Sequence, residues 1–104
     1  MTFRLVATDM DGTMLPPSKL ITPRVLAAAK ALQERGVHLV LSSARPPRSM
    51  WSFHEALGLT TPIISGNGAL IWAPGESKPL AHHPIPTQAA LAVIQALREA
   101  APDE

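Results

Sequence analysis

Apolar and polar positions alternate along this chain in a regular punctuation. Short apolar runs of strand length end in small or polar residues, and each is followed by a segment with helical spacing. Phe3 to Ala7 is the first such run, and it leads into Asp9-Met10-Asp11-Gly12-Thr13. Pro16-Pro17-Ser18-Lys19-Leu20-Ile21 is a loop whose two prolines oppose a helix. Thr22 suits a helix N-cap and Pro23 the first helical position, so a helix is predicted to about Arg35, with Gly36 closing it. Val25, Leu26, Ala29 and Leu32 form its apolar stripe. Val37 to Leu41 is a second strand, nearly all apolar, as a strand buried on both faces should be.

Pro46 and Pro47 start a second helix, running to about Leu57 and ended by Gly58, and Thr61 to Ile64 is a third strand. Ala69–Trp72 and Pro79–His83 flank the turn-rich Pro74-Gly75-Glu76-Ser77-Lys78 and read as a hairpin. Thr87 caps a last helix to about Ala101, its apolar face carried by Leu91, Ile94 and Leu97. Strand, helix, strand at this spacing is a βαβ unit, whose crossover is right-handed in nearly all cases. The expected fold class is therefore α/β. A parallel three-stranded core with flanking helices occupies residues 1–68, a hairpin 69–86 and a final helix 87–101 of one domain, 1–104.

Composition narrows the function classes. With 46% hydrophobic and 16% charged residues over 104 positions, the chain carries enough apolar material for a core. A formal net charge of +1 without a basic cluster argues against nucleic acid as a partner. Cysteine is absent, which excludes disulfide and thiol chemistry and is compatible with a reducing cytoplasm. No apolar stretch approaches the ~20 residues of a membrane span, and the N-terminal segment reads as a strand rather than a signal core. The expectation is a cytoplasmic protein with no membrane partner.

The candidate chemistry sits at the carboxyl ends of the predicted strands, the edge where open α/β sheets bind ligands. Asp9 and Asp11 repel each other at this spacing, so each needs a cation or a proton. A hard cation such as Mg²⁺ meets that need through one or two carboxylates, waters and substrate phosphate. Gly12 lets the backbone turn tightly and present N–H groups to an anion. A carboxylate in such a site can act as nucleophile and carry an aspartyl-phosphate. Ser42-Ser43-Ala44-Arg45 falls at the same edge, ahead of a helix N-terminus, and suits an anion. Taken singly, each segment has a plainer reading: a polar turn for the first, capping serines beside a solvated arginine for the second. Ser65-Gly66-Asn67-Gly68 is a tight turn with candidate positive φ. The four histidines show no metal-ligand spacing: His38 reads as a strand residue, His54 as helix surface, His82 and His83 as alternating hairpin faces.

Taken together the segments carry a resemblance. Asp9-Met10-Asp11-Gly12-Thr13-Met14-Leu15 resembles the first motif of the haloacid dehalogenase superfamily, in its Cof-type phosphatase branch. Val40-Leu41-Ser42-Ser43-Ala44-Arg45-Pro46 is similar to that branch's second motif, and Ile63-Ile64-Ser65-Gly66-Asn67-Gly68-Ala69-Leu70 to its third-strand Asn-Gly-Ala segment. The resemblance implies a Rossmann-like core and a Mg²⁺-dependent phosphatase of small phosphorylated metabolites. Asp9 is then nucleophile and metal ligand. Asp11 is general acid, then base, with its backbone carbonyl on the metal. Gly12, Thr13, Ser43, Ala44, Arg45 and Asn67 make up the phosphate and substrate contacts. Ala44 stands where the family has glycine, and would be strained if that position needs positive φ.

The resemblance also implies groups with no counterpart here: a lysine that neutralises the phosphoryl charge, an acidic pair completing the Mg²⁺ site, and a cap domain. Lys78 and Asp103 lie in the wrong contexts to replace them. Little or no phosphatase activity is therefore expected of these residues alone, since electrostatic and metal interactions dominate phosphoryl transfer. The first strand, central in the family, should become an exposed sheet edge and promote self-association. A non-catalytic binding or scaffold module of the same descent, or a piece of a longer enzyme, is the alternative. A phosphoacceptor receiver domain is disfavoured because Ser65 stands where its acceptor aspartate belongs.

Overall fold

The computed structural model describes residues 2–102. One five-stranded sheet is built from β1 (Leu5–Asp9), β2 (His38–Ser42), β3 (Ile63–Ser65), β4 (Leu70–Trp72) and β5 (Ala81–His82), side by side in that order. β1, β2 and β3 run parallel, and β4 and β5 are antiparallel additions. The predicted hairpin is thus not a separate appendage. It extends the parallel core into a mixed sheet through Ile63 opposite Trp72 and Ser65 opposite Leu70. β1 is paired on one side only and forms an edge of the sheet.

Helix α1 (Pro23–Glu34) starts where the cap signal indicated: the Thr22 hydroxyl accepts a bond from Val25 N–H at 3.2 Å. Its stripe is narrower than the spacing implied. Ala29 is buried and Val25 and Leu32 are half-buried, whereas Leu26, one step further round the helix, stays 46% exposed. The predicted helix from Pro46 begins later and is broken. Pro46 is held extended by the proline that follows it, so the chain makes a 3-10 turn at Pro47–Ser49 before α2 (Trp51–Ala56). Helix α3 spans Thr87–Ala100, with Pro86 rather than Thr87 at the cap position and no side-chain cap bond. The apolar face named from its spacing is open: Leu91, Ile94 and Leu97 are all exposed.

The core lies between the sheet and helices α1 and α2. Leu39 and Leu41 of β2, Ile63 of β3, Ala29 of α1 and Leu57 beyond α2 meet Met10, Leu15, Met50 and Leu59 there. His54, expected on a helix surface, belongs to this interior. It is 5% exposed, stands edge-on to Trp51 at 5.2 Å, and its Nε2 lies 2.7 Å from the Thr61 carbonyl oxygen. That bond satisfies a polar ring that burial would otherwise penalise.

Candidate phosphoryl-transfer site

Parallel pairing fixes the site's frame. Asp9 ends β1 directly beside Ser42, which ends β2, so the first acid and the Ser43–Arg45 loop emerge from the same rim. Met10 is fully buried and so pulls the chain inward between the two acids. The turn behind it is closed by Leu15 N–H to the Met10 carbonyl at 2.8 Å, Thr13 N–H to the same carbonyl at 3.2 Å, and Gly12 N–H to the Leu15 carbonyl at 3.2 Å. Gly12, at φ 78°, takes the left-handed conformation the turn requires. Its N–H group, and that of Thr13, serve the turn itself rather than standing free for an anion as the sequence suggested. What Thr13 offers is its hydroxyl, 3.3 Å from Asp9 Oδ2.

The two acids sit in opposite electrostatic conditions. Asp9 is exposed. Asp11 is gripped by Arg45, whose Nε and Nη2 reach its two carboxylate oxygens at 2.8 Å each, a bidentate charge-assisted pair. Lys19 Nζ adds a contact to Asp11 Oδ1 at 3.1 Å. Hydrogen bonds from Arg45 first and Lys19 second hold the Asp11 carboxyl well below the usual carboxylate range, and the same pair pushes the Arg45 guanidinium up. Asp11 is an ionised carboxylate in this arrangement.

Arg45 is itself fixed from several sides. Its Nη1 donates to the Ser49 carbonyl at 3.2 Å, its guanidinium carbon lies 5.0 Å from the Phe53 ring centroid, and its backbone N–H donates to Ser43 Oγ at 3.0 Å. Ser43 is 4% exposed and anchored by its own N–H to the Ile64 carbonyl at 2.9 Å. Its hydroxyl keeps a proton to donate. The third loop is stitched onto this one by Gly66 N–H to the Arg45 carbonyl and Asn67 N–H to the Ser43 carbonyl, both at 3.0 Å. Asn67 adopts φ 55°, a left-handed conformation Asn tolerates better than most residues. Ala44 is exposed and is not among the left-handed residues, so replacing glycine there leaves no backbone strain.

The segments singled out from sequence therefore meet at one rim, through register for Asp9 and through hydrogen bonds for Asp11, Ser43, Arg45 and Asn67. Lys19, Ser49 and Phe53 were not foreseen. Lys19 lies in an aperiodic proline-rich loop, and Ser49 and Phe53 matter only through contact with Arg45, so no local signal marks them. For Mg²⁺, the donors present fit in part. Asp9 offers an open carboxylate, and the Asp11 carbonyl stands outside the turn's hydrogen bonds. The Asp11 carboxylate is already neutralised by cations. Among the described residues, no group of three or more His, Asp or Glu could hold a metal ion. No helix of the described residues is long and apolar enough to cross a membrane.

A family described as haloacid dehalogenase-like hydrolase matches residues 6–101. Pyridoxal phosphate phosphatase YbhA of Escherichia coli is 34% identical over 99 residues, covering 95% of this chain and 36% of that protein. The 5-amino-6-(5-phospho-D-ribitylamino)uracil phosphatase YitU of Bacillus subtilis is 36% identical over 72 residues, covering 69% of this chain and 27% of that protein. Among solved structures, a haloacid dehalogenase-like hydrolase from B. subtilis superposes with a TM-score of 0.82 at 30% identity, covering 93% of this chain and 34% of that one. The chain spans about a third of the length of these relatives. With the acid pair, the Ser43–Arg45 loop and the Asn67 turn inside the matched region, the chain belongs to the haloacid dehalogenase-like hydrolases.

Proposed function

We propose that this rim is the phosphoryl-accepting part of a Mg²⁺-dependent phosphatase of small phosphorylated metabolites, working in the cytoplasm. The observation that carries the reading is the unequal state of the two acids: Asp9 is exposed, while Asp11 is held by Arg45 at 2.8 Å. The matched relatives support the substrate class, since the named ones are phosphatases of phosphorylated metabolites.

Asp9 attacks phosphorus, the bond from phosphorus to the leaving oxygen breaks, and an aspartyl-phosphate forms. Thr13 steadies the Asp9 carboxylate through its hydroxyl, Ser43 donates its hydroxyl to a phosphoryl oxygen, and Asn67 borders the substrate. Asp11, ionised as it stands, is suited to take the proton of the water that opens the aspartyl-phosphate. Donating a proton to the leaving oxygen in the first step requires the Arg45 pair to loosen, because that pair suppresses protonation. The Asp9 carboxylate and the Asp11 carbonyl would hold Mg²⁺, which when bound would neutralise phosphoryl charge. One open carboxylate would hold that ion weakly, so these residues alone are expected to turn over little substrate.

The test is phosphate binding with and without Mg²⁺, alongside phosphate release from an aryl phosphate. The expected result is release near background and a Mg²⁺ dependence of phosphate binding that Asp9→Asn removes. Binding indifferent to both Mg²⁺ and Asp9→Asn would overturn the site. Rapid release abolished by Asp9→Asn would uphold the nucleophile and overturn the low activity. A second reading, a module that associates with another chain, is favoured by the edge position of β1 with Leu5 55% exposed. Pairing of that edge with a second copy is the form of association proposed.

A further inference from the structure

The Asp11 carboxylate has more cations than it needs. Arg45 occupies both of its oxygens at 2.8 Å, so the Lys19 ammonium at 3.1 Å is a redundant third contact. The two cations differ in how firmly they are held. Arg45 is tied to the Ser49 carbonyl, the Phe53 ring and Ser43, and its side chain is 23% exposed. Lys19 is 53% exposed and, among the described residues, its ammonium contacts Asp11 only. Its backbone is in the left-handed region at φ 60°, unusual for a residue that is neither glycine nor asparagine. A turn bond from Lys19 N–H to the Pro16 carbonyl at 2.8 Å holds it there. Backbone strain of this kind persists where the surroundings over-determine it and clusters at functional positions.

We propose that Lys19 is the exchangeable cation of this site: it rests on Asp11 and transfers to the phosphate group of an incoming substrate. The inference deepens the phosphatase reading and rests on it. An incoming phosphate dianion meets the exposed Asp9 charge and needs a cation that can follow it. Arg45 is unsuited, because leaving would break a bidentate pair and strip both Asp11 oxygens. Lys19 gives up one redundant contact, and its flexible four-carbon stem lets the ammonium move as a point charge. Asp11 stays neutralised by Arg45 while the phosphate binds. The left-handed backbone at Lys19 accompanies the contact of this loop lysine with Asp11.

The experiment uses the whole chain with inorganic phosphate and Mg²⁺, compared with chloride at equal ionic strength. Lys19→Asn keeps a residue that accepts positive φ while removing the charge, Lys19→Arg keeps the charge, and Lys19→Gly relieves the backbone altogether. Loss of one charge-assisted hydrogen bond predicts phosphate binding weakened about tenfold in Lys19→Asn and Lys19→Gly, with Lys19→Arg largely restored. The side-chain ammonium resonance of Lys19 should move on titration with phosphate and not with chloride. Wild-type affinity in both uncharged variants, or a Lys19 resonance that stays put while the Ser43 and Arg45 amides shift, would sink this inference alone. Phosphate that moves none of these signals would sink the phosphatase reading with it. A melting curve on each variant separates lost affinity from lost fold.

Discussion

Met10 offers the sharpest test of how the site is held. It lies between the two acids and is fully buried, so its side chain fastens the turn to the core. Met10→Ala removes the whole of that anchor. Burial of a methionine side chain stabilises by about 1.5–3 kcal/mol, and the cavity left behind adds to the loss. The neighbours around it, Leu15, Leu41, Met50 and Ile63, are themselves almost fully buried and packed into one cluster, which limits collapse into the gap. The expected cost is therefore about 3 kcal/mol, within the ~2–5 kcal/mol usual for such truncations. At about 4–8 °C per kcal/mol for a domain near this size, melting should fall by ~12–24 °C. Met10→Leu, which conserves volume, should lose less than about 1.5 kcal/mol. Urea unfolding followed by far-ultraviolet circular dichroism gives both values, with the slope checked for constancy. If Met10→Ala shifts stability by less than about 1 kcal/mol at unchanged slope, the anchor argument fails, because a buried side chain of this size cannot be removed so cheaply.

Two further perturbations read other parts of the molecule. Asp11 is held below the ordinary carboxylate range by Arg45 first and Lys19 second, so its contribution to stability is complete above the unfolded value of about 3.9 and is lost as pH falls through the lower folded value. In a carbon-13 titration the Asp11 carboxyl signal should stay flat through that ordinary range, and Arg45→Gln should raise the midpoint; an ordinary wild-type midpoint would refute the pair. At the sheet edge, Leu5→Lys places a charge on the exposed side of β1, a means by which natural edges resist pairing. Light scattering should show concentration-dependent association of the wild-type chain and its loss in Leu5→Lys; a wild-type chain monomeric at all concentrations would exclude a second copy as the edge's occupant.

The fold was legible where chemistry was local. The Thr22-Pro23 start of α1, the apolar stretch that becomes β2, and the glycine-bracketed turn at Asn67 each owe their form to residues within a few positions. The misreadings share a different cause. His54 was read as surface because its burial depends on Trp51 and on the distant Thr61 carbonyl. Leu26 and the apolar face of α3 follow the predicted helical spacing yet stay exposed, because periodicity reports amphipathicity, not whether a partner surface is present. The proline pair at 46–47 signals a helix start, yet the first proline is forced extended by the second, so the helix begins only after it. At the site, residue types and order were legible, but the Gly12 and Thr13 N–H groups turned out to be committed to the turn, a matter of backbone geometry that composition does not carry.

The unequal state of the two acids follows from where the sheet stops. Pairing ends at Asp9 beside Ser42, and Met10 is drawn into the core immediately afterwards. Asp9 is therefore left exposed at the end of the edge strand, its carboxylate accepting a hydrogen bond from the Thr13 hydroxyl at 3.3 Å. Asp11, past the buried methionine, meets the loop that leaves β2. The guanidinium waiting there comes from 34 positions away and is aimed by Ser43, Ser49 and Phe53. A pair of acids two residues apart thus acquires one free and one compensated charge from a single buried side chain and one long-range arginine. Local spacing alone would have left the two carboxylates equivalent and mutually repelling. The division of labour proposed for the two acids accordingly rests on the β1–β2 pairing, which sets Asp9 beside Ser42 and brings the Ser43–Arg45 loop to Asp11.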